Sequence, residues 1–276
     1  MAGGDRPRAG LSGADLDFLV SAAAPGTRDT ARLKRVLSED EDFRNAFIED
    51  DRTVRAAVSD REVFVRISPA LYFEILLRSL RRELSGATHT LEGGGLHKVA
   101  VFDARQVVDL LSRPEVLLYL AEMLASFTWV ESGSFSWRVR GRARRTLRFD
   151  DTDVEGLVRS LEFAGEEYRF HFYKRIADVC LFLLGVFPEF LGASSRRRHG
   201  GEPLRRPVGP GALSPEEYEA EGKKYYALAA GHPLARDREL SEVFHVLHDA
   251  FRVARKPLAL IAEKYICLQG APRVAD

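Results

Sequence analysis

The chain has 276 residues, is 45% hydrophobic and 30% charged, and balances 41 Lys and Arg against 41 Asp and Glu. That length and apolar content suffice for a sizeable core without metals or disulfides, and a net charge of zero argues neither for nor against nucleic acid. Two cysteines, Cys180 and Cys267, exclude a disulfide framework and point to a reducing, cytoplasmic setting. Met1–Gly10 has two arginines and no apolar core, so it does not read as a signal peptide, and the most apolar window, Ile176–Phe187, falls short of the roughly 20 residues a membrane span needs.

In chain order, residues 1–12, rich in Gly, Ala and Arg, read as a disordered N-terminus, and residues 13–276 as a single helical domain. Short helices are expected around Leu16–Val20, with Ser12 or Asp15 as cap, then over Arg28–Leu37, from Phe43, and over Thr53–Val58. Acidic runs at Ser38–Asp42 and Glu49–Asp51 separate them. Ser68-Pro69 starts a stronger helix, a serine cap with proline at the first helical position. Leu71, Phe73, Ile75, Leu76, Leu80 and Leu84 give it a wide apolar face, and Arg78, Arg81 and Arg82 near its end suit the helix dipole.

Thr88–Val101, interrupted by Gly93-Gly94-Gly95, reads as a small hairpin or a loop, without a phosphate-binding glycine pattern. Helices follow over Asp103–Leu111 and Pro114–Phe127. From Trp129 to Phe149 the period becomes two, which predicts a small β-hairpin or sheet. A helix capped by Asp150 or Thr152 runs to about Phe163, and the longest helix spans Gly165–Phe187. Residues 192–212, rich in Gly and Pro and carrying five Arg against one Glu, read as a mobile basic loop. Ser214 with Glu217 forms a capping box for a helix ending near Gly231-His232-Pro233, and two last helices are expected at Glu239–Arg255 and Pro257–Leu268.

Six arginines without an acidic neighbour, Arg138, Arg140, Arg142, Arg144, Arg145 and Arg148, form the strongest local charge in the sequence. Alternating with Phe135 and Trp137, they suit a phosphate-binding ribbon; the competing reading is a solvated face paired with Glu39–Asp42, Glu49–Asp51 or Asp150–Asp153. Glu242 and His245 match one half of a carboxylate-bridged di-iron pattern, but a second Glu-x-x-His is missing, so they stand only as a weak metal hypothesis. No catalytic residue is assigned: there is no Gly-x-Ser-x-Gly elbow, and Cys180 lies in an apolar run. No cofactor is called for, and the balance leans away from an enzyme.

Two stretches, Ile67–Arg78 and Tyr173–Glu189, together resemble an uncharacterised, mainly helical family of bacterial and archaeal proteins without an assigned activity. The resemblance implies one integrated helical fold and transfers no site residue. In its light Arg175 and Asp178, polar within an apolar helix, are candidates for a buried ion pair. The expectation is therefore a mainly α, compact multi-helix protein with a small β element near residues 129–149. The leading function is a non-enzymatic scaffold or adaptor that binds another protein. The alternative is a nucleic-acid-binding protein that uses the arginine ribbon, and a metal-dependent enzyme comes third. No membrane partner is expected.

Overall fold

The structure is a computed structural model. It describes residues 10–60, 62–87, 90–92, 99–101, 103–128, 132–138, 144–150, 153–188 and 213–266; of residues 90–92, 99–101, 132–138, 144–150 and 266 it describes the backbone alone. The expected basic loop at 192–212 and most of the expected disordered N-terminus lie outside the described residues. The described fold is mainly helical. Where the sequence reads as one domain, contacts group into two compact units, residues 1–128 with 263–276, and residues 129–262.

The first unit begins with α1 (Gly13–Ala23), α2 (Thr30–Glu39), α3 (Glu41–Ile48) and α4 (Asp51–Ser59). Each starts where a small polar side chain accepts a free amide of the first turn: Ser12 from Asp15, Asp29 from Arg32, Asp40 from Phe43, and Asp50 from Arg52. The acidic punctuation is thus a row of helix caps. Ser12 belongs to the folded part, because its hydroxyl and backbone N–H complete a capping box with Asp15. The four-residue α5 (Val63–Arg66) follows, then α6 (Pro69–Ser85), started by Ser68 and Pro69 as the sequence indicates.

Helix α6 is the axis of this unit. Leu71 to Arg78 are buried without interruption, a wider burial than one apolar face provides. Helices α3, α4, α5, α7 (Ala104–Leu111) and α8 (Pro114–Ser126) all pack on it. Backbone pairing joins Thr90–Glu92 (β1) to Val99–Val101 (β2), antiparallel.

In the second unit, Ser132–Arg138 (β3) pairs antiparallel with Arg144–Asp150 (β4). Helix α9 (Val154–Glu162) has Asp153 at its N-cap position, not Asp150 or Thr152; Asp153 is the extended residue directly before the first turn. Helix α10 (Glu166–Val186) runs through the middle of the unit, with Ala177–Leu181 buried in succession. It packs against α9, α11 (Pro215–Gly231) and α14 (Phe251–Ile261). Close approach needs small residues. A Cβ on Gly222 of α11 would lie 2.5 Å from the Phe251 ring and 3.0 Å from the Cys180 Cβ, and one on Gly185 would lie 2.6 Å from the Leu258 Cβ.

The end of this unit differs from expectation. After α12 (Pro233–Asp237) and α13 (Ser241–Asp249), the helix breaks at Ala250 and not before Pro257. Pro257 sits inside α14, where it forgoes one backbone hydrogen bond. Its ring is buried on the same face as Phe251, Ala254, Leu258 and Ile261, and that packing offsets the lost bond. A π-helical turn, Ala262–Ile266, follows.

Candidate functional site

In each unit one buried charged group gathers polar partners, Arg78 in the first and Asp178 in the second. In the first unit Arg78 is the hub. Its Nε donates to Glu74 Oε1 at 2.9 Å, Nη1 to Glu49 Oε1 at 3.0 Å and Nη2 to Asn45 Oδ1 at 2.8 Å. Arg81 joins Glu49 at 2.7 Å, and Arg82 donates to the Glu49 carbonyl at 2.8 Å. A guanidinium with its donors met from two helices sets how α6 lies on the end of α3. The arginines near the end of α6 are therefore cross-helix fasteners first and dipole partners second. Glu49 and Asp51, read from sequence as candidate partners for the hairpin arginines, form ion pairs with Arg78, Arg81 and Arg82. Burial pushes the Glu74 carboxyl above its usual range, against the pull of Arg78.

In the second unit the buried carboxylate is Asp178. Lys174, one turn earlier, reaches Oδ2 at 3.0 Å, and the Tyr226 hydroxyl of α11 donates to Oδ1 at 2.9 Å. The sequence flagged Asp178 with Arg175; the geometry gives Asp178 an ion pair with Lys174, at the i,i+4 spacing of one helix face. Tyr226 was not foreseen, because nothing local connects positions 48 apart. Cys180 is buried two residues on, and burial first, then Glu221 and Asp178, pushes its thiol well above the ordinary range, which disfavours the reactive thiolate.

The sequence-predicted site residues fall as follows. The register sets Arg138 opposite Arg144, Trp137 opposite Arg145 and Ser134 opposite Arg148. Alternation along the strands places Arg138, Arg144 and Arg148 at positions of one parity, and Arg145 with Phe135, Trp137 and Leu147 at the other. Arg140 and Arg142 lie outside the described residues. Glu242 and His245 share α13 and are both exposed, and among the described residues no group of three His, Cys, Asp or Glu is gathered for a metal ion.

Exposed apolar side chains are the remaining feature. Val65 is 85% exposed and Phe64 48% exposed on the short α5, and Val58 stands exposed near the end of α4. The Phe64 ring is nonetheless held, edge-on to Tyr72 at 4.8 Å and 6.4 Å from Phe73. Sequence patterning could not find these residues, because a four-residue helix has no periodicity to read. Among the described residues, no helix is long and apolar enough to cross a membrane. No family model, curated protein or solved structure matches the chain.

Proposed function

We propose that the protein is a non-enzymatic helical interaction protein, an adaptor that binds another protein through the apolar stretch of Val58, Phe64 and Val65. The observation that carries this reading is the exposure of Phe64 and Val65 on one short helix, with Phe64 fixed against buried aromatic residues. A pre-positioned aromatic anchor beside an exposed aliphatic side chain suits the centre of a protein interface. The polar networks around Arg78 and Asp178 fit a scaffold role, since their partners are structural. The likeness of residues 67–78 and 173–189 to a helical prokaryotic family belongs to the same proposal, as does a cytoplasmic location.

The second reading, nucleic-acid binding by a hairpin spanning residues 132–150, is favoured by one observation: the register sets Arg138 directly opposite Arg144. Like charges across a strand pair repel unless an anion lies between them. Phosphate groups along a nucleic acid would supply that charge.

The discriminating experiment is a pull-down at low and high salt, read for protein and nucleic acid, with wild type, Val65→Asp and Arg138→Ala/Arg144→Ala. A protein partner held at high salt by wild type and lost in Val65→Asp supports the adaptor. A partner held equally by Val65→Asp removes this stretch. Nucleic acid that leaves at high salt and depends on Arg138 and Arg144 replaces the adaptor with the ribbon.

A further inference from the structure

We propose that the turn between α11 and α12 is a proton-sensitive latch, closed by the neutral ring of His232 and released when that ring is protonated, while His248 keeps α13 on α11 in either state. His232 is the junction residue. Its N–H donates to the Ala229 carbonyl at 3.1 Å, closing α11, and its carbonyl accepts the Ala235 N–H at 3.0 Å, opening α12. Its ring Nδ1 lies 3.2 Å from the Leu234 amide nitrogen. An amide N–H only donates, so this Nδ1 must be the bare, accepting nitrogen. A proton placed there sets donor against donor and removes the cap.

The ring is packed among aromatic side chains. From α10 it meets Phe170 at 5.5 Å and Tyr173 at 6.5 Å between ring centres. The Arg238 guanidinium already lies over the Phe170 ring at 5.5 Å, and His171 stands edge-on to Phe170 at 5.6 Å. Helix α13 reaches this cluster through Phe244, and its own titratable Glu242 and His245 are exposed. The Arg238 guanidinium thus already places a positive charge at the cluster, and α12 and its flank carry Arg236, Asp237 and Glu239.

His248 makes the opposite demand. Its Nδ1 lies 2.8 Å from the Lys223 carbonyl oxygen of α11, an atom that only accepts, so this Nδ1 carries the hydrogen. The second proton would go to Nε2, which lies 3.9 Å from Asp249 Oδ1, and the tether survives. Acidification therefore separates two attachments to α11. The five-residue α12 is too short to persist without its cap and packing, so it loosens, while α13 stays tied. What α12 and its flanks release is the fully buried ring of Phe170.

The test is amide hydrogen exchange by NMR across residues 231–240, at about pH 7.5 and about pH 5.5, corrected for intrinsic exchange, in wild type, His232→Asn and His248→Gln. The Leu234 amide is expected to lose about tenfold in protection on acidification in wild type and in His248→Gln, but not in His232→Asn, whose carboxamide oxygen accepts at both pH values. An equal loss in His232→Asn, or none in wild type, overturns the latch. The ¹⁵N shifts of the wild-type imidazole decide independently of any variant: a protonated Nδ1 on His232 at neutral pH overturns it, and a bare one supports it.

Discussion

Asp15 and Ser68, 53 residues apart, are joined by a hydrogen bond of 2.7 Å from the Ser68 N–H to Asp15 Oδ1. The other carboxylate oxygen of Asp15 takes the backbone N–H and hydroxyl of Ser12 at 2.9 and 2.8 Å. One buried side chain thus closes the start of α1 and ties it to the start of α6, which Ser68 itself caps.

Asp15→Ala is therefore expected to cost more than an ordinary cap loss. Removing a cap is worth about 1 kcal/mol, and each bond to a charged acceptor roughly 1.5–3 kcal/mol. Denaturant unfolding should show a loss of about 2–4 kcal/mol for Asp15→Ala and about 1 kcal/mol for Ser12→Ala. Equal, small losses would mean that the Ser68 bond contributes nothing.

Two glycines of α11 should respond with opposite sign to alanine. At Gly222 the new methyl meets the Phe251 ring and Cys180, so despite better helix propensity Gly222→Ala should destabilise by about 1–3 kcal/mol. At Gly231 nothing lies within 4 Å, and Gly231→Ala should be neutral or stabilise by up to about 0.5–1 kcal/mol. Thermal melts of the two variants check the contrast.

Thr53 is buried, and its hydroxyl has no hydrogen-bond partner among the described residues. In a helix such a hydroxyl turns to the carbonyl four residues back, here Glu49, but that oxygen accepts from Arg82 at 2.8 Å. Thr53→Val keeps the shape and removes the unsatisfied group, so a gain of about 1 kcal/mol is expected in unfolding experiments. A loss would show that the hydroxyl is satisfied.

Glu74 predicts a pH signature. Burial raises its carboxyl from the ordinary value of 4.5, outweighing Arg78, so the folded chain binds this proton more tightly than the unfolded chain. Stability attached to that proton is present below 4.5 and lost as pH rises through the raised folded value. Wild-type stability measured relative to Glu74→Gln should thus decline from acid towards neutral pH. A difference that is flat or rises with pH refutes the assignment.

Much of the helical outline was legible in the residues themselves. Ser12, Ser68 with Pro69, and Ser214 with Glu217 start helices in the structure as their spacing indicates. Capping is a contest settled within four residues, so local sequence suffices to decide it. Where packing outweighed local preference the reading failed: Pro257 lies inside α14 because its buried face offsets a missing bond, and the break falls at Ala250. Phe64 and Val65 lay beyond reach, since exposure on a four-residue helix depends on what the rest of the unit leaves uncovered.

By itself the sequence determined the helical class and most helix starts, because these follow from composition and from interactions a few residues long. Only the tertiary structure decided which charges meet. Glu49 faces Arg78 and Arg81, Asp178 faces Tyr226, and Asp15 reaches Ser68 across the chain. A carboxylate's partner depends on which helices lie side by side, and side-by-side placement comes from burying apolar faces, which no local spacing of charges encodes.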